Sequence, residues 1–276
     1  MHLIYKVLAE ASNELKEISG SNSIREARIL LEFVLKNQEK FLKTNHNISN
    51  NDFIIFQRLI KKRLKFQPIS QIIGERYFWK NKFFINSDVL DPRPDTETLI
   101  EHTLSFGSFF NILDLGTGSG CIILSLLDEY NAAMGIGVDK SKKALNVAKK
   151  NAELLNLNDR VKFQLGNWCD GLDNKFDLIV SNPPYISEKE ILGLSNDVIN
   201  WEPRIALTPE GDGLGAYKNI INGVKNILIP NGRLIFEIGH AQGNEVSNLL
   251  KSNNFKEINI VKDINNKDRV ISALWR

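Results

Sequence analysis

A mostly parallel α/β sheet covered on both faces, preceded by a small all-helical domain, is the fold that three observations predict. From Phe109 onward short apolar runs alternate with amphipathic stretches, the texture of strand and helix in turn. Residues 1–70 carry helical periodicity and nothing that alternates like a strand. The last two apolar runs have no helix between them, so an antiparallel hairpin is expected at one edge of the sheet.

The N-terminal elements come first. Ser23 and Glu26 have capping-box spacing, and Ala27, Leu30, Leu31, Val34 and Leu35 repeat behind them at helical intervals. Asn and Ser crowd the connection from Thr44 to Asn51. Phe53, Phe56, Leu59, Ile60 and Leu64 form a second amphipathic stripe, ended by Pro68. Residues 1–70 are therefore read as a helical domain. Between Ile72 and Leu90 aromatic and β-branched residues take over, with Asn81 separating Tyr77-Phe78-Trp79 from Phe83-Phe84-Ile85. That pattern predicts a hairpin, and residues 71–92 are read as a β-hairpin linker. Residues 93–276 make up the sheet domain. Its strands are predicted at 112–115, 134–138, 161–165, 176–180, 234–238, 255–261 and 270–275, with helices over 120–129, 141–155 and 214–228.

Composition narrows the function. Hydrophobic residues at 42% and charged residues at 25% describe an ordinary soluble chain. A net charge of +2 gives no global case for nucleic-acid binding, and no specific nucleic-acid partner is expected. One run is uneven: Arg58, Lys61, Lys62, Arg63 and Lys65 have no acid among them. It reads as a solvated helix face or as a footprint for an acidic or RNA-rich partner. The two cysteines, Cys121 and Cys169, lie far apart. Neither a zinc site nor a disulfide framework is expected, and a reducing, cytoplasmic setting fits. Met1 to Lys16 mixes acids with apolar residues, unlike a secretory signal. No run approaches the ~20 apolar residues of a membrane span, so no membrane partner is expected either.

Four strand ends carry the candidate chemistry. Asp114-Leu115-Gly116-Thr117-Gly118-Ser119-Gly120 joins the first sheet strand to its helix, where glycines permit a tight turn and close ligand approach. The spacing is G-x-G-x-G, and Cys121 stands where a dinucleotide fingerprint wants a third glycine. No Gly-Lys-Ser/Thr follows, so a phosphate loop fails as well. Asp139 ends the second strand, where it either accepts from a ribose diol or caps the following helix, and beside the glycine loop the diol is the reading preferred. A ribose acid without a pyrophosphate fingerprint points to S-adenosylmethionine, which carries adenosine and no pyrophosphate. Asn167-Trp168 follows the third strand, where Trp168 either flanks an adenine or belongs to the core.

Asn182-Pro183-Pro184-Tyr185 ends the fourth strand. Neither proline donates a backbone hydrogen bond, so pairing stops here. The Asn182 side-chain oxygen and the Pro183 carbonyl then offer two acceptors beside an aromatic ring. That set suits a planar NH2 group facing an electrophile, with Tyr185 on its plane.

Together, the glycine loop, Asp139 and Asn182 to Tyr185 resemble a class I S-adenosylmethionine-dependent methyltransferase of Rossmann-like fold that methylates planar nitrogens. A narrower resemblance, to the PrmC (HemK) family, is carried by several stretches: Ile72-Ile73-Gly74-Glu75-Arg76-Tyr77-Phe78-Trp79, Pro92-Arg93-Pro94-Asp95-Thr96-Glu97, Ile112 to Gly120 and Val180 to Ile186. Glu202-Pro203-Arg204, Gly211-Asp212-Gly213-Leu214 and Glu237-Ile238-Gly239 extend it. Departures are small: Asp91 stands where an aliphatic residue is usual, Asp95 replaces a glutamate, and Thr208-Pro209-Glu210 precedes Gly211.

The family resemblance implies methylation of the side-chain nitrogen of the glutamine in the Gly-Gly-Gln motif of peptide chain release factors. It implies that Gly116, Thr117, Gly118, Ser119, Gly120, Asp139, Trp168 and Asn182 bind S-adenosylmethionine. It also implies that Asn182, Pro183, Pro184 and Tyr185 hold the glutamine. Arg93 either orients a ligand at the mouth or pairs with Asp95 or Glu97. Glu202 either closes over the glutamine or fixes its loop. A monomer suffices for this chemistry. The rival readings are glutamine methylation of a ribosomal protein, adenine-N6 methylation of a flipped base, and a non-catalytic module that docks a translation factor.

Overall fold

The computed structural model describes residues 2–35 and 46–276; Thr44 and Asn45 of the polar connection lie outside them. The chain forms two compact units, Met1–Gly74 with Ser195–Trp201, and Glu75–Leu194 with Glu202–Arg276.

The first unit is built from helices Ile4–Ser19, Ser23–Leu35, Asn50–Arg63 and Ile69–Ile73. Leu15, Leu30, Leu31, Phe56 and Ile60 pack into its core. Ser49 caps the third helix by accepting from the Asp52 N–H at 3.1 Å. The Ser23–Glu26 spacing does not make a capping box. Ser23 already lies inside its helix and meets the Ser12 hydroxyl at 3.0 Å. Glu26 is drawn to a stronger donor, accepting from Arg63 Nε at 2.8 Å and Nη2 at 3.2 Å. Arg63 is therefore buried and paired, so the exposed basic face comprises Arg58, Lys61, Lys62 and Lys65. Two residue pairs, β1 (His2–Leu3) and β2 (Asn47–Ile48), join antiparallel. They are too short to leave an alternating signature. The segment Ser195–Trp201 is tied into this unit by Gln71 Nε2 donating to the Trp201 carbonyl (2.9 Å) and Trp201 Nε1 donating to the Lys65 carbonyl (2.9 Å).

The second unit opens with the hairpin β3 (Glu75–Phe78) and β4 (Asn81–Phe84). Its main sheet has seven strands: β5 (Asn111–Leu115), β6 (Met134–Asp139), β7 (Val161–Leu165), β8 (Phe176–Ser181), β9 (Leu228–Glu237), β10 (Lys256–Lys262) and β11 (Asp268–Leu274). They lie in the order β10-β11-β9-β8-β5-β6-β7. Strands β7, β6, β5, β8 and β9 are mutually parallel, and β11 pairs antiparallel with both β9 and β10. The predicted edge hairpin is present, with β11 inserted between its partner and β9.

Both sheet faces are covered, as a parallel sheet requires. Helices Glu97–Leu104, Cys121–Glu129 and Lys142–Leu154 bury Leu99, Ile100, Ile123, Leu126 and Val147 on one side. Helices Gly215–Val224 and Gly243–Ser252 bury Tyr217, Ile220, Ile221, Val246 and Leu250 on the other. The helix expected over 214–228 stops at Val224, because Leu228 already begins β9. No helix among the described residues is long and apolar enough to cross a membrane.

Candidate functional site

The chain proceeds from β5 through β6 to β7 on one side, then resumes at β8 on the other side of β5. Such a reversal opens a crevice outside the carboxyl ends of the strands. The turn after β5 and the Asn182–Tyr185 turn after β8 flank it. A cavity of about 520 Å³ occupies this place. Gly116, Gly118, Asp139, Asn167, Trp168, Asn182 and Pro184 line it, and Pro203, Arg204 and Asn219 stand among the residues of its wall.

The glycine loop is shaped by backbone demands. Gly116, Gly118 and Gly120 have φ of 74°, 56° and 79°, which favours glycine at all three. Gly116 and Gly118 line the cavity, whereas the residues between and after them hold the loop. Thr117 is buried and donates from Oγ1 to Asp114 Oδ2 at 2.6 Å. The Ser119 carbonyl accepts from Asn151 Nδ2 at 2.9 Å. A Cβ on Gly120 would lie 3.1 Å from Leu124 and 3.2 Å from Ala148, so this residue lets the following helix pack closely.

Asp139, the last residue of β6, receives the Gly118 N–H at 2.9 Å and the Ser141 N–H at 2.8 Å, one on each carboxylate oxygen. Burial raises its pKa, and the Ser141 and Gly118 amides pull it back. Each oxygen keeps acceptor capacity for a diol. Trp168 sits with φ of 54°, its ring 3.4 Å from the point a Cβ on Gly116 would occupy. It both lines the cavity and packs on the core. The donor set fits S-adenosylmethionine: a carboxylate for the ribose, Val138, Ala144 and Trp168 as apolar walls, and a glycine loop open to close approach.

Asn182 lines the cavity and donates from Nδ2 to Thr96 Oγ1 at 3.4 Å. Pro184 lines it too, while Pro183 is buried behind them. Tyr185 is anchored through its hydroxyl. It is absent from the lining, and its hydroxyl donates to Glu237 Oε1 at 3.3 Å and receives Arg269 Nη1 at 3.4 Å. The polar partners of the phenol lie on the β9 and β11 side, which draws the ring there. Arg93 pairs with neither Asp95 nor Glu97. One of its amino nitrogens donates to both Glu202 oxygens, at 2.7 and 2.9 Å. Asp95 instead meets Arg269 at 3.3 Å, and Glu97 accepts the Trp79 N–H at 3.0 Å. Neither Arg93 nor Glu202 lines the cavity, although Pro203 and Arg204, the residues after Glu202, do. The unusual Asp91 is buried 3.8 Å from Arg76.

Sequence reasoning gave no role to Asp88, Lys140 and Asn219, which line the cavity, nor to Thr96 and Glu237 behind Asn182. For Asn219 a signal existed, since it lies four residues after Gly215 and shares its helix face. Lys140 simply follows Asp139 in the chain, whereas Asp88, Thr96 and Glu237 become neighbours of the site only through long-range folding.

A methyltransferase-domain family model matches residues 108–271, and a PrmC N-terminal-domain model matches residues 6–74. A release factor glutamine methyltransferase of Cereibacter sphaeroides is 44% identical over 218 residues, covering 79% of this chain and 78% of the relative. A bifunctional methyltransferase of Rickettsia prowazekii is 38% identical over 97% of this chain. The chain spans 56% of that longer relative. Among solved structures, a methyltransferase from Pyrococcus furiosus superposes with a TM-score of 0.53 at 15% identity, over 70% of this chain and 87% of the other. That likeness is one of fold.

Proposed function

The chain belongs to the release factor glutamine methyltransferase family, and on that premise we propose that it methylates the side-chain amide nitrogen of the Gly-Gly-Gln glutamine in peptide chain release factors. The observation that carries this reading is Asn182 at the crevice, an amide acceptor beside the Asp139 and glycine-loop end of the same cavity. When bound, S-adenosylmethionine supplies an electrophilic methyl group on a cationic sulfur. Gly116, Gly118, Asp139 and Trp168 would hold it, and Thr117, Ser119 and Gly120 shape the loop.

An amide nitrogen is a weak nucleophile because its lone pair is delocalised into the carbonyl. Alignment of reactants therefore matters most, and is worth roughly 7–11 kcal/mol. The Asn182 oxygen and the Pro183 carbonyl each accept one N–H of the substrate amide. They hold the nitrogen in place and stabilise the positive charge that grows on it, and the methylated nitrogen then releases one of its protons to water. Tyr185 supports this turn from behind through Glu237, and Pro184 closes the cavity wall. The Arg93–Glu202 pair fixes the start of the segment that supplies Pro203 and Arg204 to the wall. The protein acts as a monomer in the cytoplasm, where release factors work.

Incubation with labelled S-adenosylmethionine and separate samples of release factor, ribosomal protein and DNA tests the reading. Label on the Gly-Gly-Gln glutamine is expected, located by peptide mass spectrometry. Label confined to ribosomal protein or DNA overturns the substrate assignment.

A further inference from the structure

Behind Asn182 stand two buried polar side chains, Thr96 and Glu237. Asn182 Nδ2 donates to the buried Thr96 hydroxyl. Thr96 is an electrostatic neighbour of the carboxylate of Glu237, the last residue of β9. Glu237 is 2% exposed. Its Oε1 accepts from Tyr185, whereas Oε2 is buried without a partner of full hydrogen-bond geometry. Other groups face it from every side. Arg269 of β11 stands near and is shared with Asp95 and Asp263. Tyr217 donates to the Glu237 carbonyl at 3.1 Å, and Cys121 is an electrostatic neighbour.

The two ends of a carboxamide have nearly the same shape, so only its partners decide which end faces which way. Asn182 has to present oxygen to an incoming amide. A hydroxyl has one proton: if Thr96 gives it to Glu237, the Thr96 oxygen is left to accept, and it accepts an Asn182 N–H. Building on the function proposed above, we propose that Thr96 and Glu237 are positioning residues that hold the Asn182 carboxamide with its oxygen toward the substrate.

The arrangement reverses when Glu237 is protonated. The carboxylic acid then donates to Thr96, the Thr96 O–H turns to Asn182, and the asparagine is favoured with its NH2 toward the substrate. Burial pushes the Glu237 carboxyl up to about 7, offset in part by Thr96 and by the Arg269 charge. The turnover rate therefore rises with pH through about 7.

Thr96→Val removes the relay at nearly constant volume, and Thr96→Ser keeps it. With release factor as substrate, Thr96→Val is expected to lose roughly tenfold or more in kcat, about the worth of one hydrogen bond. Its KM and S-adenosylmethionine affinity should hold, and its pH limb should vanish. Thr96→Ser should recover most of the rate and the limb. Parental kcat and pH profile in Thr96→Val overturn the proposal, as does a Thr96→Ser enzyme impaired to the same extent as Thr96→Val. A second readout needs no turnover. The Asn182 side-chain amide signals in the nuclear magnetic resonance spectrum, identified by their loss in Asn182→Ala, should titrate through about 7 in the parent and not in Thr96→Val. If the parent fails to methylate release factor, the functional reading falls while these signals still decide the orientation chain. Signals that do not titrate in the parent, or titrate alike in both proteins, sink it.

Discussion

Asn182 has to donate on one side and accept on the other, and few side chains do both in one plane. Asn182→Ala removes the acceptor without disturbing β8, whose pairing ends at Ser181. A loss of roughly a hundred- to thousandfold in kcat is expected, comparable to removing one oxyanion-hole donor. The melting temperature should stay near the parent value. Parental turnover by purified Asn182→Ala would show that the amide is held by other groups. Asp139 belongs to the binding step, since both its oxygens already order the loop through Gly118 and Ser141. Asp139→Ala should weaken S-adenosylmethionine binding by roughly ten- to a hundredfold, on the order of one to two charge-assisted hydrogen bonds. Calorimetry giving an unchanged affinity removes Asp139 from the site. At this scale the sequence was informative because strand ends gather functional residues. Asn182, Asp139, Trp168 and the glycine loop all lie at carboxyl ends of neighbouring parallel strands. The bond from the Tyr185 hydroxyl to Glu237 spans 52 residues of chain, and local spacing carries no trace of that meeting.

Gly211-Asp212-Gly213 illustrates the element scale, because its two glycines have different reasons to be glycine. Both adopt positive φ, 62° and 80°. A Cβ on Gly211 meets nothing within 4 Å, but one on Gly213 would lie 2.4 Å from the Tyr185 carbonyl and 2.9 Å from Gln242 Nε2. Those two groups bond each other at 2.9 Å, a clasp that holds the turn after β8. Gly211→Ala should cost about 1–2 kcal/mol, the strain of a left-handed residue. Gly213→Ala should cost more and also lower kcat, since the turn has to shift. Urea unfolding and turnover of the two variants check this; equal effects would mean the clasp does not position the turn. The sheet was legible for a related reason. Parallel strands covered on both faces give short apolar runs that end abruptly, so the five parallel strands were visible in the chain, and the antiparallel β10 and β11 showed as two apolar runs with no helix between them. The helix Gly243–Ser252 left a weaker mark, because only Val246 and Leu250 of its apolar residues are fully buried. The short turns between 188 and 207 offer too few residues for any periodicity. Ser195–Trp201 joins the helical unit through Gln71 and Lys65, more than a hundred residues earlier in the chain, and no pattern in the segment announces it.

Among the described residues, two buried carboxyls, Asp114 and Glu237, are lifted to about 7, and they make stability depend on pH. Asp114 is 0% exposed, with only Oδ2 engaged, by Thr117. Burial is the largest cause that lifts both groups to about 7. Both folded pKa values thus exceed those of an unfolded chain, so the folded state favours the neutral acids. Their contribution is fully present below the unfolded values, near 4, and is lost as pH rises to about 7. Across that window each group removes up to roughly 1.4 kcal/mol of stability per pH unit. The function proposed for Glu237 needs the opposite state, an ionised carboxylate, so the active form is also the less stable one. Asp114 makes the test clean, because it lies under the glycine loop and not behind Asn182. Asp114→Asn keeps the shape and an acceptor for Thr117 but cannot ionise. Whatever fixed cost the new amide carries, its stability relative to the parent should improve steadily from pH 4 to about 7 and then level off. Urea unfolding at a series of pH values measures this directly, and parallel curves for parent and variant would mean that Asp114 is already ionised in the fold at pH 4.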